Sequence, residues 1–391
     1  MSVAVGLDIS ALDPTFREHA GRGIGRYVGE LNRFLHGVSG ADVTIGTFDH
    51  NSFHSMRACD TVIQRLPVAR LTVRQQIVYP LALRGDVTRK FDILHFPAHM
   101  DAPSWGVQKT IVTVLDLIPL LFQDLYSAGK SQWRFKLARW LELRAIRNAS
   151  LILAISETTK RDVHRLLGIP EEKIIVTPLG IDERFSRATL HESDEVVRAR
   201  YRIPVGRPII LYVGGIDPRK NWGLMLRATK EIVTQARAQG TPPPVLVMAG
   251  KIQSDKEYPG LIALKDSLSL SDDVVFAGFV PDTDLFQLYA ASACFFFPSR
   301  YEGFGLPPLE AMAAGVPVVS SNAPAMREFL DGYVDFVDPD DLSGAVAALQ
   351  HVMVDTPQLR ERRERGRLHA QTFTWQRTGE ATLRAYEQLA R

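Results

Sequence analysis

The strongest constraint on the fold is a local pattern that recurs along the chain: a short apolar run, a glycine-containing turn, and an amphipathic stretch with helical spacing. It first occurs at Val3–Leu7, which a polar loop and a helical pattern over about Gly25–Leu35 follow. It restarts at Pro208–Val213. Parallel strands are covered on both faces by their crossover helices, so they have near-continuous apolar runs of this kind. The sequence therefore predicts an α/β fold with two doubly wound, Rossmann-like domains facing across a cleft.

The other runs of this kind are Ile93–Phe96, Thr110–Leu115, Leu151–Ile155, Val245–Met248, Val274–Phe276, Cys294–Phe297 and Val316–Ser320. At 391 residues the chain exceeds the size at which one hydrophobic core usually stops growing. We expect a first domain over 1–185, a polar linker over 186–205 and a second domain over 206–374. The amphipathic segment 375–391 is predicted to be a helix that crosses back to the first domain.

The composition excludes several classes of protein. A formal net charge of +2 argues against a dedicated nucleic-acid binder. Cys59 and Cys294 are the only cysteines and lie far apart, which indicates neither a disulfide framework nor a cysteine zinc site. No apolar run approaches the roughly eighteen residues of a membrane span, and Met1–Leu7 reads as a strand. We therefore expect a cytoplasmic protein.

The sharpest motif is Arg300–Glu310, which directly follows the apolar run Cys294–Phe297. Its sequence predicts a strand, a glycine-rich turn and a helix start, because glycine allows a tight backbone and proline suits the first helical turn. An anion can bind at such a helix N-terminus. Glu302 before the turn and Glu310, expected in the first helical turn, can face one cleft from two directions.

A second motif, Tyr212–Asn221, repeats the arrangement of strand, glycine turn and helix. Its glycines permit close approach of the backbone to a ligand. Arg219 and Lys220 bring two cations to the mouth of the predicted cleft.

In these two motifs the chain resembles the retaining nucleotide-sugar glycosyltransferases of glycosyltransferase family 4, which have the GT-B fold. The resemblance implies that Glu302 lies by the transferred sugar and that Glu310 binds the ribose hydroxyls. It implies that Arg219 and Lys220 bind the diphosphate, so that no metal and no further cofactor are needed. The backbone that contacts the sugar or phosphates is then that of Gly303, Phe304, Gly305 and Leu306.

The resemblance extends to weaker elements. It implies that the loops at Gly215, at Gly250 and Lys251, and at Phe279 and Val280 hold the base and phosphates, and that Gly23 makes a close backbone contact. Asp116 is assigned a catalytic place with Glu302, Arg219 and Lys220. Related sequences often have a histidine just before this aspartate. Here that position is Leu115, which leaves Asp116, His95 and His99 as candidates for sugar contacts.

The resemblance implies transfer of a hexose, with mannose from GDP-mannose as our expectation, to a glycan or lipid-linked acceptor in surface polysaccharide synthesis. A transferase for UDP-sugars, a nucleotide-sugar 2-epimerase of the same architecture and a catalytically silent nucleotide-sugar binding subunit stay open as alternatives. The segment 130–147 is basic and aromatic, which is typical of a helix that contacts anionic lipid headgroups. Its apolar positions can equally pack on the first domain, and this interpretation stays open beside the expected peripheral contact with the cytoplasmic face of the inner membrane.

Overall fold

The computed structural model describes residues 2–13, 23–36, 43–49, 52, 77–87, 89–107, 109–122, 132–186 and 194–391. The chain forms two compact units. Unit 1 consists of residues 1–180 together with 375–391, and unit 2 consists of residues 181–374. Cys59, Gly21 and Arg22 lie outside the described residues, as does the start of the segment 130–147.

Unit 1 contains a six-stranded parallel sheet with the strand order β2-β1-β3-β4-β5-β6. The strands are β1 Val3–Asp8, β2 Val43–Phe48, β3 Ile93–Phe96, β4 Thr110–Val114, β5 Leu151–Ala154 and β6 Ile174–Val176. The described helices of this unit are α1 Gly23–His36, α2 Tyr79–Ala82, α3 Ile118–Leu121, α4 Gln132–Asn148, α5 Glu157–Leu167 and α15 Trp375–Ala390. The order of the strands reverses between β1 and β3.

The C-terminal helix α15 belongs to unit 1. Tyr386 is fully buried there, and its hydroxyl group lies 2.7 Å from Nδ1 of His95 on β3. Gly379 contacts Phe34 of α1 so closely that an added Cβ would lie 2.0 Å from the ring. A helix at the end of the chain thus completes a core that the first 180 residues begin.

Unit 2 contains a second six-stranded parallel sheet, with the order β12-β11-β10-β7-β8-β9. Its strands are β7 Ile209–Val213, β8 Val245–Ala249, β9 Val274–Gly278, β10 Cys294–Phe297, β11 Val318–Ser321 and β12 Asp335–Val337. Its described helices are α6 Glu183–Ser186, α7 Asp194–Arg200, α8 Trp222–Ala238, α9 Tyr258–Ser267, α10 Asp282–Ala290, α11 Leu306–Ala313, α12 Pro324–Leu330, α13 Leu342–Met353 and α14 Pro357–Ala370. The two sheets confirm the predicted pair of doubly wound domains.

The division between the units lies at residues 180/181 and 374/375, rather than in the segment 186–205 that the sequence indicated as a linker. The described part of that segment contains α7, which belongs to unit 2 because Val197 is fully buried and Tyr201 donates a hydrogen bond to Asp284 of α10. The two places where the chain enters and leaves unit 2 are paired, since the Ile181 amide donates to the Phe373 carbonyl at 3.0 Å.

In the described part of the chain, no helix combines the length and apolarity that crossing a bilayer requires.

Candidate functional site

The two motifs singled out in the sequence meet at the point where the strand order of unit 2 reverses. β7 and β10 are neighbours in the sheet, with Ile210 paired to Cys294 and Leu211 to Phe295. Because both strands are parallel, the loops that follow them leave the same edge of the sheet. In open α/β sheets, ligands bind at such a reversal, outside the carboxyl ends of the strands.

The loop after β7 presents the two cations in a short turn. Pro218–Lys220 forms one turn of 3-10 helix, and the Asp217 side chain accepts a hydrogen bond from the Arg219 amide. Asn221 ends the turn with a left-handed backbone at φ +60°, a conformation that asparagine tolerates better than most residues. Its buried amide group donates to the carbonyls of Pro298 and Pro339 at 3.3 and 2.7 Å. The turn is therefore anchored to the loop after β10.

Glu302 is the centre of an ion cluster. Its Oε1 atom lies 2.6 Å from Nζ of Lys220 and 2.8 Å from Nη1 of Arg219. Ser299 donates a hydrogen bond to the same oxygen at 2.6 Å. The Glu302 side chain is 11% exposed, so these contacts lie in a largely dehydrated place where charge–charge interactions are strong.

The electrostatics of this cluster favour an ionised carboxylate. Burial alone would raise the pKa of Glu302, but the charges of Lys220 and Arg219 and two hydrogen bonds outweigh it and lower the pKa to about 2. Burial lowers the pKa of Lys220, and Glu302 opposes that shift. The Asp217 carboxylate also lies 3.6 Å from Nε of Arg219, so the loops hold two cations and two carboxylates, and an anionic ligand would compete with these carboxylates for the cations.

Backbone hydrogen bonds tie the two loops into one structure. The Arg300 amide donates to the Arg219 carbonyl at 2.7 Å, and Nη1 of Arg219 donates to the Tyr301 carbonyl at 2.8 Å. Lys220 also lies over the Phe297 ring, 5.0 Å from its centroid. The cations are thus held in place by β10 and its loop before any ligand binds.

The glycine turn leads into α11, where the position of Glu310 differs from the expectation. The helix begins at Leu306, so Glu310 lies in its second turn and not in its first. It is 3% exposed, and Oε2 accepts a hydrogen bond from the Tyr289 hydroxyl group of α10 at 3.3 Å. Gly305 precedes the helix at φ +107°, and a Cβ there would lie 2.2 Å from Cε of Met326. Only glycine satisfies both the backbone conformation and the packing.

The remaining residues of the glycine turn differ in how deeply they are buried. Phe304 is buried and packs on Phe329 with a centroid distance of 4.2 Å, so its side chain is part of the core. Gly303 is buried with it, whereas Leu306 is half-buried. The packing of the Phe304 ring against Phe329 therefore holds the turn in place.

Glycine backbones form the edge of the sheet next to β7. The Gly250 amide donates to the Gly278 carbonyl at 2.7 Å, and the Gly214 amide donates to Ala249 at 2.9 Å. A Cβ on Gly250 would lie 2.2 Å from the Gly214 carbonyl oxygen, at a backbone φ of +150°. Gly215 is exposed, with open space around its Cα. A ligand can therefore approach the backbone closely at this edge.

Beside that edge, Phe279 is 60% exposed, which is unusual for an aromatic side chain, and Nζ of Lys251 lies 5.8 Å from its ring centroid. This pair offers a flat apolar face next to a cation. Val280 differs, because it is only 7% exposed and its side chain packs in the core instead of lining this surface. Among the residues that the structure describes, no group of three His, Cys, Asp or Glu side chains is placed to hold a metal ion.

The candidates in unit 1 are described within that unit. Gly23 is the first residue of α1, and nothing lies within 4 Å of the Cβ it lacks. Asp116 follows β4, is half-buried and accepts a hydrogen bond from the Ile118 amide at 3.0 Å, just before α3. His99 follows β3 and pairs with Glu142 of α4 through Nε2 at 3.0 Å.

His95 is a core residue. It is fully buried between the hydroxyl groups of Tyr386 and Thr113, and burial lowers its pKa to about 3, so the imidazole is neutral. The structure gives it a packing role within the sheet, which explains why a histidine occurs in an apolar run.

Sequence reasoning missed Ser299, Asn221 and Tyr289, whose contacts orient Glu302, the cation turn and Glu310. Ser299 and Asn221 adjoin the residues that were identified, and a polar residue directly after a buried strand is a usable signal. Tyr289 had no such signal, since it lies on a separate helix and meets Glu310 only in the folded chain.

Comparisons with known proteins point to one family. The family model described as "Glycosyl transferases group 1" matches residues 193–369, and the one described as "Glycosyltransferase Family 4" matches residues 21–185. The O-antigen chain mannosyltransferase B of Escherichia coli is 31% identical over 62% of this chain and 61% of its own length. A serotype-specific mannosyltransferase WbdA of the same species is 28% identical over 76% of this chain and 36% of its own length. The matches thus span less than two thirds of these relatives.

Among solved structures, the sucrose-phosphate synthase of Thermosynechococcus elongatus superposes with a TM-score of 0.74 at 20% identity, covering 99% of each chain. At this identity the likeness shows the fold alone, and that fold is GT-B.

Proposed function

This chain belongs to the family 4 type of glycosyltransferases with the GT-B fold, and from that premise we propose that it is a retaining hexosyltransferase of surface polysaccharide synthesis. Its donor is GDP-mannose, and its acceptor is a glycan or a lipid-linked oligosaccharide. The observation that carries the proposal is the cluster of Glu302, Lys220 and Arg219 at the reversal point of the sheet in unit 2. Mannose is chosen because the relatives named above are mannosyltransferases.

In this proposal, Arg219 and Lys220 bind the diphosphate and stabilise the negative charge that grows on it as the glycosidic bond breaks. Two fixed cations supply charge where another enzyme would use a metal ion, so turnover is independent of divalent metals. Turnover that EDTA abolishes and Mg²⁺ restores would contradict this part of the proposal.

Retention of configuration follows if the acceptor hydroxyl attacks on the face that the nucleotide leaves, with the departing phosphate oxygen taking its proton. The protein then orients the reactants and stabilises the separating charges. Glu310 binds the ribose, Phe279 carries the base, and Lys251 contacts a phosphate. Gly215 and the turn Gly303–Leu306 offer their backbone.

The test is a thermal-shift comparison of GDP, UDP, dTDP and CMP on the wild type and on Glu310→Ala. A ligand at a hundred times its dissociation constant stabilises the folded state by about 2.7 kcal/mol. A shift with GDP that Glu310→Ala abolishes supports the proposal, and a shift with UDP alone assigns the chain to UDP-sugars. No shift with any nucleotide would sink the nucleotide-sugar assignment.

An acceptor assay separates the remaining alternatives. A 2-epimerase converts its nucleotide sugar without any acceptor, and a silent binding subunit binds the nucleotide without turnover. Release of GDP from GDP-mannose that increases when lipid-linked oligosaccharide is added supports transfer over both.

We also place the protein at the cytoplasmic face of the inner membrane, with α4 as the contact. Leu137 and Trp140 on this helix are 43% and 50% exposed, and the guanidinium group of Arg144 lies 5.3 Å from the Trp140 ring. Exposed apolar groups beside cations suit anionic lipid headgroups.

Flotation with vesicles of phosphatidylglycerol tests this contact. We expect the wild type to float with anionic vesicles and Leu137→Ala/Trp140→Ala to float less. Leu368→Ala is a control for loss of an apolar surface group, because Leu368 is 52% exposed in unit 2. Equal flotation of all three proteins would overturn the assignment of α4.

A further inference from the structure

The contacts of Glu302 are asymmetric. Of the described residues, Lys220 and Ser299 donate hydrogen bonds to it and Arg219 forms an ion pair with it, and all three contacts are made to Oε1, at 2.6, 2.6 and 2.8 Å. Oε2 makes none of these three contacts. It is also not fully buried, so solvent can reach it. The carboxylate therefore has one occupied oxygen and one available oxygen.

The two cations do not by themselves explain which oxygen is occupied. A lysine ammonium is a compact charge on a flexible stem, and either carboxylate oxygen satisfies it. The Ser299 hydroxyl differs, since it is attached to the backbone just past β10 and is only 1% exposed. A hydroxyl group has one directional donor, and its shortest contact is with Oε1 of Glu302.

Ser299 is itself held in place. Its carbonyl accepts a hydrogen bond from the buried Ser321 hydroxyl group on β11, and β10, the strand that leads to Ser299, is paired with β7 on one side and β11 on the other. Two hydrogen bonds thus connect the Glu302 carboxylate to the sheet: Ser321 on β11 holds Ser299, and Ser299 holds Oε1 of Glu302.

We propose that Ser299 is a positioning residue that fixes Oε1 of Glu302 and so presents Oε2 to a hydroxyl group of the transferred sugar. This rests on the proposed function. Ser299 touches no reacting atom and acts through the orientation of Glu302. Without its hydroxyl, the carboxylate can rotate between the two cations, and Oε2 is no longer held toward the sugar.

The test is a double-mutant type of cycle, in which the Ser299 hydroxyl and one hydroxyl of the sugar are removed separately and together. Donor turnover is measured with GDP-mannose and its 2-, 3-, 4- and 6-deoxy analogues, for the wild type, Ser299→Ala and Ser299→Thr. We expect Ser299→Ala to lower kcat/KM for GDP-mannose on the order of tenfold, the scale of one hydrogen bond to a charged group. Ser299→Thr retains a hydroxyl and restores most of it.

The diagnostic result is that one deoxy donor is insensitive to Ser299→Ala, because the hydroxyl that Oε2 would accept is already missing. Coupling of this kind between two groups is what a double-mutant cycle isolates. Affinity for GDP, which lacks the transferred mannose, stays within about twofold. A merely structural role would lower turnover of every donor by the same factor.

Ser320→Ala is the matched control. Ser320 is equally buried on the neighbouring strand, and its hydroxyl makes only a 3.5 Å contact with the Phe297 carbonyl, so the same deletion leaves Glu302 untouched. An equal loss with all five donors, or no loss in Ser299→Ala, overturns the positioning role while the proposed function stands. Wild-type protein that neither binds GDP nor turns over GDP-mannose overturns both.

Discussion

Nζ of Lys220 lies 2.6 Å from Oε1 of Glu302, although the two residues are 82 positions apart in the chain. The contact exists because β7 and β10 are adjacent in the sheet, so the loops after them leave at neighbouring points. It places a buried acid between two cations and makes this pair the centre of the proposed chemistry of unit 2.

Glu302→Gln should change how stability depends on pH. The folded-state pKa of Glu302 is about 2, below its ordinary value of 4.5, so its stabilisation is complete above about pH 4.5 and is lost as the pH falls toward 2. The shift corresponds to a contribution on the order of 3 kcal/mol. Denaturant unfolding at several pH values should show the wild type more stable at pH 7 and the gap closing near pH 2. Glu231→Gln, an exposed acid of α8, is the control, and a gap that does not vary with pH would contradict the prediction.

Lys220→Met should impair turnover far more than it impairs folding. It removes one of two charges that stabilise the leaving diphosphate, for which loss of a fixed electrostatic contact costs about 10²–10³-fold in kcat. Arg219 remains paired with Glu302, so the carboxylate keeps a cation. Steady-state kinetics check the prediction, with Lys256→Met as the control because the Lys256 side chain is 71% exposed. Unchanged kcat would remove Lys220 from the mechanism.

Tyr289→Phe should weaken nucleotide binding without disturbing the core. The ring remains to pack on Phe185 at 5.7 Å, and only the hydroxyl is lost, which lies 3.3 Å from both Oε2 of Glu310 and the Pro307 carbonyl at the start of α11. A hydrogen bond is worth about 0.5–1.5 kcal/mol, which corresponds to roughly a two- to tenfold weaker affinity for GDP. Calorimetry measures it, beside Glu310→Ala, which should lose more. Equal affinity in the wild type and Tyr289→Phe would show that this hydroxyl does not orient Glu310.

Gly250→Ala and Gly215→Ala should differ in how much stability they cost, because Gly250 is closely packed whereas Gly215 faces open space. At Gly250 a methyl group meets the Gly214 carbonyl at 2.2 Å on a strained backbone, so we expect a loss of stability of about 1–3 kcal/mol. At Gly215 the methyl group enters open space, so stability should stay within about 0.5 kcal/mol. Thermal melts of the unliganded proteins make the comparison. Similar melting temperatures for both variants would mean that the two backbones do not approach this closely.

Much of the fold could be predicted, and the exceptions have a common cause. The central strands were read from continuous apolar runs, whereas β2, β6 and β12 were missed. All three lie at an edge of their sheet and are only partly buried. β6 and β12 are only three residues long and β2 mixes apolar and polar residues, so none of them has the longer continuous apolar run that marked the other strands, the edge strand β9 included.

The candidate site shows the same limit. The ion cluster could be anticipated from Glu302, Arg219 and Lys220, because their types and positions after apolar runs are visible in the sequence. The helical turn of Glu310 and the burial of Val280 could not be, because a boundary moved by a few residues changes which side chains face inward.

By itself the sequence determined the strands that have continuous apolar runs and the charged residues that follow them, since periodicity, glycine and proline act over a few neighbouring residues. Only the tertiary structure decided that β7 pairs with β10, that Ser299 and the two cations share one oxygen of Glu302, and that α15 belongs to unit 1. Pairing in a parallel sheet joins residues far apart in the chain, and the whole set of buried contacts selects it together.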